Sequence, residues 1–450
     1  MSVPTAVHPF EVTHRAVLAI ALPMTLANLS TPLVGIVDTA VIGQLGSTAL
    51  LGGIAIGALV FDVILSIFNF LRMGTTGLTA QAVGAGDRVE LKAVFARAIA
   101  VALGIGLVIV ALQAPILRLA EVGIAPSPAV MAAFRAYFEI RILATPLSFV
   151  NYVILGWVIG LGRADLGLAL QILLNLVNVG LNILFVYAMG LGIAGTALAT
   201  AAAEAVAVVG GIAVVVFASR GAPWPAWRRI FERREMMRMV AVNRDIMIRS
   251  VALMTAFAFF TAQGARAGDA VLAANAVLMH FFMVGGFFLD GLANAAEQLA
   301  GRAIGARYRP AFVRSVRLAV GWGFAFAAAA SLLFIAAGPA MIDLVTTSPE
   351  VRATARLYLV WAALTPLAGV LAFEMDGVFV GATWSSDMRN MMLISIALYF
   401  ALWAVLAPMF GNDGLWIALL GFLGARGLTL ALRIPARLAR TFPEPRPAFG

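Results

Sequence analysis

Apolar runs of about twenty residues, the length a helix needs to cross the hydrocarbon core of a bilayer, recur twelve times along this chain. They fall at about residues 15–42, 49–72, 91–113, 130–159, 166–189, 193–217, 245–266, 270–300, 312–338, 353–381, 388–409 and 413–433. None alternates apolar and polar residues as a barrel strand would. In lipid a segment must satisfy its own backbone, so every run is predicted to be a helix. Breakers separate many of them: Gly84-Ala85-Gly86-Asp87, Pro126-Ser127-Pro128, Gly162-Arg163-Ala164-Asp165, Gly221-Ala222-Pro223 and Gly411-Asn412-Asp413-Gly414. The expected fold class is all-α integral membrane, with twelve transmembrane helices.

Composition closes off the alternatives. The chain is 62% hydrophobic and only 12% charged, which leaves too little polar surface for a soluble protein of 450 residues. A net charge of +9 could point to nucleic acid. The arginines, however, sit in short segments between the apolar runs, so the expected partner is membrane lipid and no nucleic acid. There is no cysteine, hence no disulfide, thiol chemistry or Cys-held metal. Lys92 is the sole lysine, so no GxxxxGK[ST] loop exists, and HExxH and GxSxG are absent. The expectation is no enzyme, no cofactor and no metal. The first residues, MSVPTAVHPFEVTHR, lack a signal peptide, so the first run is expected to be a retained helix.

Twenty-two Lys and Arg fall on the side shared by the termini and the even-numbered connections, against four on the other. Both termini are therefore predicted to be cytoplasmic. Sliding the chain on itself by 221 residues aligns Gly43, Leu51 and Ala55 with Gly264, Leu272 and Ala276. It also places Ala82-Val83-Gly84-Ala85 over Ala303-Ile304-Gly305-Ala306, and Gly156 and Gly160 over Gly377 and Gly381. This is an internal repeat: two six-helix bundles of like orientation, related by a pseudo-two-fold axis along the membrane normal. The expected domains are 1–218, a basic cytoplasmic linker 219–244, and 245–450 with a short cytoplasmic tail. The linker, with WPAWRRIFERREMMR, reads as an amphipathic segment on the cytoplasmic leaflet, its arginines snorkelling into anionic lipid. A regulatory or nucleic-acid site is the alternative.

Within this frame a few polar residues stand out. Asp38 is a carboxylate inside the first run, costly enough in lipid to be a functional candidate. Pro23 and Pro32 on the same run leave the carbonyls of Ala19 and Asn28 unpaired, giving either a structural kink or a hinge. Gln171, Asn175, Asn178 and Asn182 share one face of the fifth run. They either glue helices together or line a cavity beside Asp38, where an amide can serve both the charged and the neutral acid. Asp290, Asn294 and Glu297 form a second stripe. Glu297 is placed for a salt bridge near Arg302, while Asp290 is the deeper candidate for a second proton or cation site. Asp376 either pairs with an arginine or serves as an ion site in the second half. Asp38 has no acidic counterpart, since Phe259 occupies its repeat position. Arg135 and Glu139 read as a local pair, Arg72 as an interfacial anchor ending the second run, and His280 as packing. Phe and Met crowd the seventh and eighth runs as filler, or as a plastic wall for bulky substrates.

The stretches ALPMTLANLSTPLVGIVDTAVIGQLG, FLRMGTTGLTAQAVGA, LGIAGTALAT, NRDIMIRS, GARAGDAVLAANAVL, LDGLANAAEQLAG and DGVFVGATWSSDMRN resemble the multidrug and toxic compound extrusion (MATE) transporters of the MOP superfamily, most of all their DNA-damage-inducible (DinF) branch. The resemblance implies secondary active, alternating-access antiport in a bacterial inner membrane. Amphipathic or cationic compounds would leave as protons or sodium ions enter. It also implies that Asp38 is the coupling carboxylate, Pro23 the bend point, and Asn175 and Asn178 its partners. Many relatives carry an acid where this chain has Asn182, which leaves Asp38 as the one carboxylate expected in the first lobe's cavity and weakens a sodium site there. The resulting expectation is a monomeric multidrug efflux antiporter coupled to protons through Asp38. The alternatives are sodium coupling and a flippase for lipid-linked precursors, which would want several deep cations for a pyrophosphate.

Overall fold

The computed structural model describes residues 7–221 and 223–443, and Arg446 of the basic tail lies outside them. All secondary structure among the described residues is helical. The spans are His14–Gly43, Thr48–Gly84, Arg88–Ala111, a fourth made of Pro128–Leu143 and Thr145–Gly160 bent by 50°, Ala164–Ala188, Gly192–Ala218, a seventh running from Arg233 to Arg266, Asp269–Gly305, Arg309–Val345 and Pro349–Gly381. The last stretch, Ser385–Ala431, is one helix by hydrogen bonding, but Gly411 within it has φ 57° and ψ −128°. No helix contains that conformation, so the stretch is two spans and the described residues hold twelve.

The repeat recurs in the backbone. Ser127 caps the fourth span by accepting from the Val130 amide, and Ser348 caps the tenth by accepting from Val351. Each cap is followed by proline at the first helical position, which needs no amide partner. Left-handed turn residues also match at 221: Gly86 with Arg307, Gly162 with Thr383, and Gly190 with Gly411. At Arg307 and Thr383 a side chain accepts φ values of 52° and 56° because the connection requires that turn.

Close helix contacts repeat as well. A Cβ added at Gly156 would collide with the Arg72 carbonyl, and one at Gly377 with the Ala293 carbonyl. Gly160 lies on Thr76 as Gly381 lies on Glu297. Gly84 meets the Arg302 carbonyl while Gly305 meets the Gln81 carbonyl, a reciprocal contact between repeat mates of the kind a two-fold axis produces. Gly377→Ala is expected to destabilise by about 1–3 kcal/mol through overpacking. Gly104→Ala, with nothing within 4 Å of the added carbon, should be silent. Thermal unfolding in detergent compares the two.

By contact the described chain forms two compact units. One comprises the residues up to Thr25, Ala80–Gly86 and those from Val240 on; the other comprises Leu26–Thr79 and Asp87–Met239. The first helix therefore passes from one to the other between Thr25 and Leu26, although it is continuous across both prolines. The core of the first unit gathers Phe260, Phe281, Phe334, Tyr399, Trp416 and Phe422. In the second, the fully buried Trp157 donates from Nε1 to the Leu91 carbonyl at 3.1 Å.

Two boundaries differ from the sequence reading. The second span does not end at Arg72. It continues to Gly84, and Arg72 is half-buried with Nε donating to Asn69 Oδ1 at 3.2 Å. The Thr75 and Thr76 hydroxyls donate back to the carbonyls of Leu71 and Arg72, so polar residues that end the apolar run do not end the helix. The seventh helix starts at Arg233 rather than near 245, because Arg, Glu and Met are good helix formers whether or not they face lipid. The segment before it is also tied to protein. Arg97, 1% exposed, donates to the carbonyls of Ile230 and Arg229 at 2.8 and 3.0 Å and pairs with Glu90, while Arg229 pairs with Asp87 at 2.6 Å. Arg135 and Glu139 are both exposed and form no ion pair among the described residues.

Candidate functional site

The second unit encloses a cavity of about 250 Å³, and Asp38, only 6% exposed, lies in its wall. Its neighbours come from the fifth and sixth spans. Asn182 Nδ2 donates to Asp38 Oδ1 at 2.8 Å, and the Thr200 hydroxyl lies 3.4 Å from Oδ2. Asn178 is one step further out, its Nδ2 donating to Thr200 Oγ1 at 3.1 Å. Asn178 and Asn182 are fully buried. This is why the amides lie on one helical face: each has a polar partner across a helix contact where lipid would leave it unsatisfied.

Two features give the cluster more than one arrangement. Thr200 has a single hydroxyl proton and two acceptors in reach, Asp38 and the Thr196 carbonyl at 3.1 Å. Asn182 Oδ1 is buried with no hydrogen-bond partner, so the cluster holds a spare acceptor beside the acid. Immediately after Asn182 the fifth helix loosens into a π turn, Ile183–Ala188, a feature common at functional positions.

The other expected residues divide. Gln171 lines the cavity and donates to Asn175 Oδ1 at 3.0 Å; Asn175 in turn donates to the Ser30 carbonyl at 3.2 Å on the first helix. Pro32 is exposed and Pro23 half-buried. Asn28 is not in the cavity wall and forms no side-chain hydrogen bond with the described residues. Asp290, Glu297 and Asp376 belong to the other compact unit. There Asp376 is held by Arg249 and, at 2.6 Å, by Arg426, so of the two roles open to it the structure shows the arginine pair. Asp290 is half-buried, its backbone carbonyl accepting from Asn294 Nδ2 at 2.7 Å, and Glu297 is 3% exposed. Arg302, expected near Glu297, lies over the Phe10 ring at 4.2 Å. His280 is exposed.

Asp38 is not the sole carboxylate in the cavity wall. Asp62 of the second span and Glu204 of the sixth also line it. Glu204 accepts from Ser148 at 3.0 Å and from Asn151 at 2.5 Å, and lies 3.5 Å from Arg141. Each is a lone charge within an apolar run, the same signal that singled out Asp38. The cavity thus holds three acids and one guanidinium against a largely apolar wall, a surface suited to an organic cation.

A twice-repeated six-helix architecture with an acid-bearing cavity in one half is the build of a secondary transporter. The MatE family model matches residues 23–184 and 246–408, one match in each repeat. The chain is 38% identical over 423 residues to DNA damage-inducible protein F of Escherichia coli (strain K12), covering 93% of this chain and 91% of that protein. It is 26% identical to the probable multidrug resistance protein NorM of Rhizobium meliloti (strain 1021), covering 96% of each. Crystal structures of MATE in bent and straight conformations superpose with TM-scores of 0.86 and 0.85, each at 19% identity and covering 95% of this chain and 96% of the other. The chain belongs to the MatE family, the MATE transporters its motifs resemble.

Proposed function

We propose that this protein is a proton-driven multidrug exporter of amphipathic cations, working as a monomer in a bacterial inner membrane with both termini cytoplasmic. The observation that carries the reading is Asp38 bonded to Asn182, with the switchable Thr200 hydroxyl on its other oxygen. The charged acid accepts from both and attracts a cation in the cavity. A proton arriving from outside makes it a donor, and the spare Asn182 oxygen is an acceptor for that proton. The attraction for the cation weakens, and the cation leaves outward. Release of the proton inward restores the charged state. The passage of the first helix between the two compact units, two residues beyond Pro23, makes that proline the natural bend point. Relatives named for multidrug resistance and a fold described in bent and straight forms agree with this cycle.

Sodium fits the same site less well. An amide N–H and a hydroxyl point their hydrogens at Asp38, where a sodium ion would need oxygen lone pairs. A flippase of lipid-linked pyrophosphates is also disfavoured, since the cavity's one arginine is already paired with Glu204.

Proteoliposomes loaded with a pH-sensitive dye and given a fluorescent lipophilic cation test the reading. An imposed pH gradient should drive cation movement with counter-flow of protons, and an imposed sodium gradient at equal pH should not. Transport that follows sodium alone would exclude it.

A further inference from the structure

Glu374 of the tenth span is 0% exposed, and neither carboxyl oxygen has a hydrogen-bond partner. The ninth helix packs directly on it, since a Cβ added to Gly323 would lie 3.0 Å from Oε1. The next turn is closed by the apolar cluster of Leu289, Ala327 and Val370. A carboxylate cannot remain ionised in such a place without a partner, whereas a neutral carboxylic acid can.

The charges on the helices around it make the same point. The seventh and twelfth spans bring Arg249 and Arg426, both on Asp376 of the tenth. The eighth brings Asp290, within electrostatic reach of both Glu374 and Arg426. Two guanidiniums and the carboxylates of Asp376 and Asp290 balance, so the cluster is neutral only while Glu374 carries a proton. Glu297, another acid of the eighth span, lies with its backbone against Gly381, two helical turns beyond Glu374, and Asp269 begins that span. The ninth span faces Glu374 with glycine and adds no charge at that level.

The ionised form nonetheless has partners in reserve. The Nε–H groups of Arg249 and Arg426 are buried and unpaired, so a change of conformation that carries either arginine from Asp376 to Glu374 would supply a donor. Asp290 is half-buried where Glu374 is sealed, which makes it the way in and out. We propose that Glu374 is a second proton-carrying site of the transport cycle: its proton passes to the Asp290 carboxylate, leaving Glu374 ionised against a freed guanidinium N–H, and is regained by the reverse step. The proposal rests on the chain being proton-driven, and it assigns the second half a proton of its own.

The test measures how far an imposed pH gradient can accumulate a fluorescent cation in proteoliposomes. Glu374→Gln and Glu374→Met both abolish the titratable group, and the second also fills the apolar site without a polar atom. Each should still transport but carry one proton fewer, so limiting accumulation falls about tenfold for each pH unit of gradient. Substrate-induced infrared difference spectra should show a carboxylic C=O band in the wild type and in Asp38→Asn that is missing from both Glu374 variants. Unchanged accumulation with an unchanged band would overturn the proposal, leaving Glu374 a permanently neutral packing acid and the Asp38 reading intact. Wild-type transport indifferent to pH would overturn both.

Discussion

Asp38→Asn is expected to reduce gradient-driven export to the background of empty liposomes while the protein still folds and reaches the membrane. The change is isosteric. Asn182 Nδ2, now 2.8 Å from Asp38 Oδ1, can donate equally well to a carboxamide oxygen. One charge-assisted hydrogen bond becomes a neutral one, a loss of about 1 kcal/mol, and removal of a buried charge offsets part of it. Melting temperature should therefore move little. The proton-binding site, however, is gone, and position 38 is fixed in its neutral form. Substrate-driven proton release, read with a pH dye, should vanish together with the drug resistance conferred on a sensitive host. Thr200→Val tests the same network more gently. It removes the hydroxyl that reaches Asp38 and the Thr196 carbonyl, so transport should weaken and its pH profile should shift without being abolished. Full transport by Asp38→Asn would sink the coupling role.

What the sequence reveals about this site is bounded by the reach of a helix. Gln171, Asn175, Asn178 and Asn182 declare a common face because they are three and four residues apart on one helix. The bonds from Gln171 to Asn175 and from Asn182 to Asn178 run along that face. Nothing in one sequence shows that Asn182 meets Asp38, 144 residues away in the chain, or that Arg426 meets Asp376. Lone charges inside apolar runs were a sufficient signal for Asp62, Arg141, Glu204, Arg249, Glu374 and Arg426 as well. Arg141, Arg249 and Arg426 lie inside runs, where they carry no information about orientation. The spans themselves were legible because lipid imposes one length and one secondary structure. Their ends were not, because helices continue past the apolar stretch wherever side chains such as Thr75 and Thr76 satisfy themselves on the backbone. The repeat was more legible than any single residue. The 221-residue offset found in a few identities reappears in caps, left-handed turns and glycine contacts, since the close approach of two helices admits only the smallest side chain at the same place in each half.

Asp376→Asn should act in the opposite way to Asp38→Asn, with a large loss of stability. Arg249 and Arg426 are 9% and 3% exposed, and both donate to Asp376 Oδ2. Removing the carboxylate leaves two buried guanidiniums facing one another with no anion between them. Breaking a buried pair in this way costs about 3–5 kcal/mol, which should appear as a clear drop in melting temperature and as aggregation during size-exclusion chromatography. If the loss comes from the unpaired cations, removing one should repair part of it. Arg249→Met added to Asp376→Asn should regain stability relative to the single variant, with a coupling energy of about 0.5–3 kcal/mol. An ion-binding role for Asp376 makes a different prediction, because sodium would then raise the melting temperature of the wild type by mass action and not that of the variant. With both arginines already on the carboxylate, no sodium-dependent shift is expected in either protein. A shift confined to the wild type would return Asp376 to the list of transport residues.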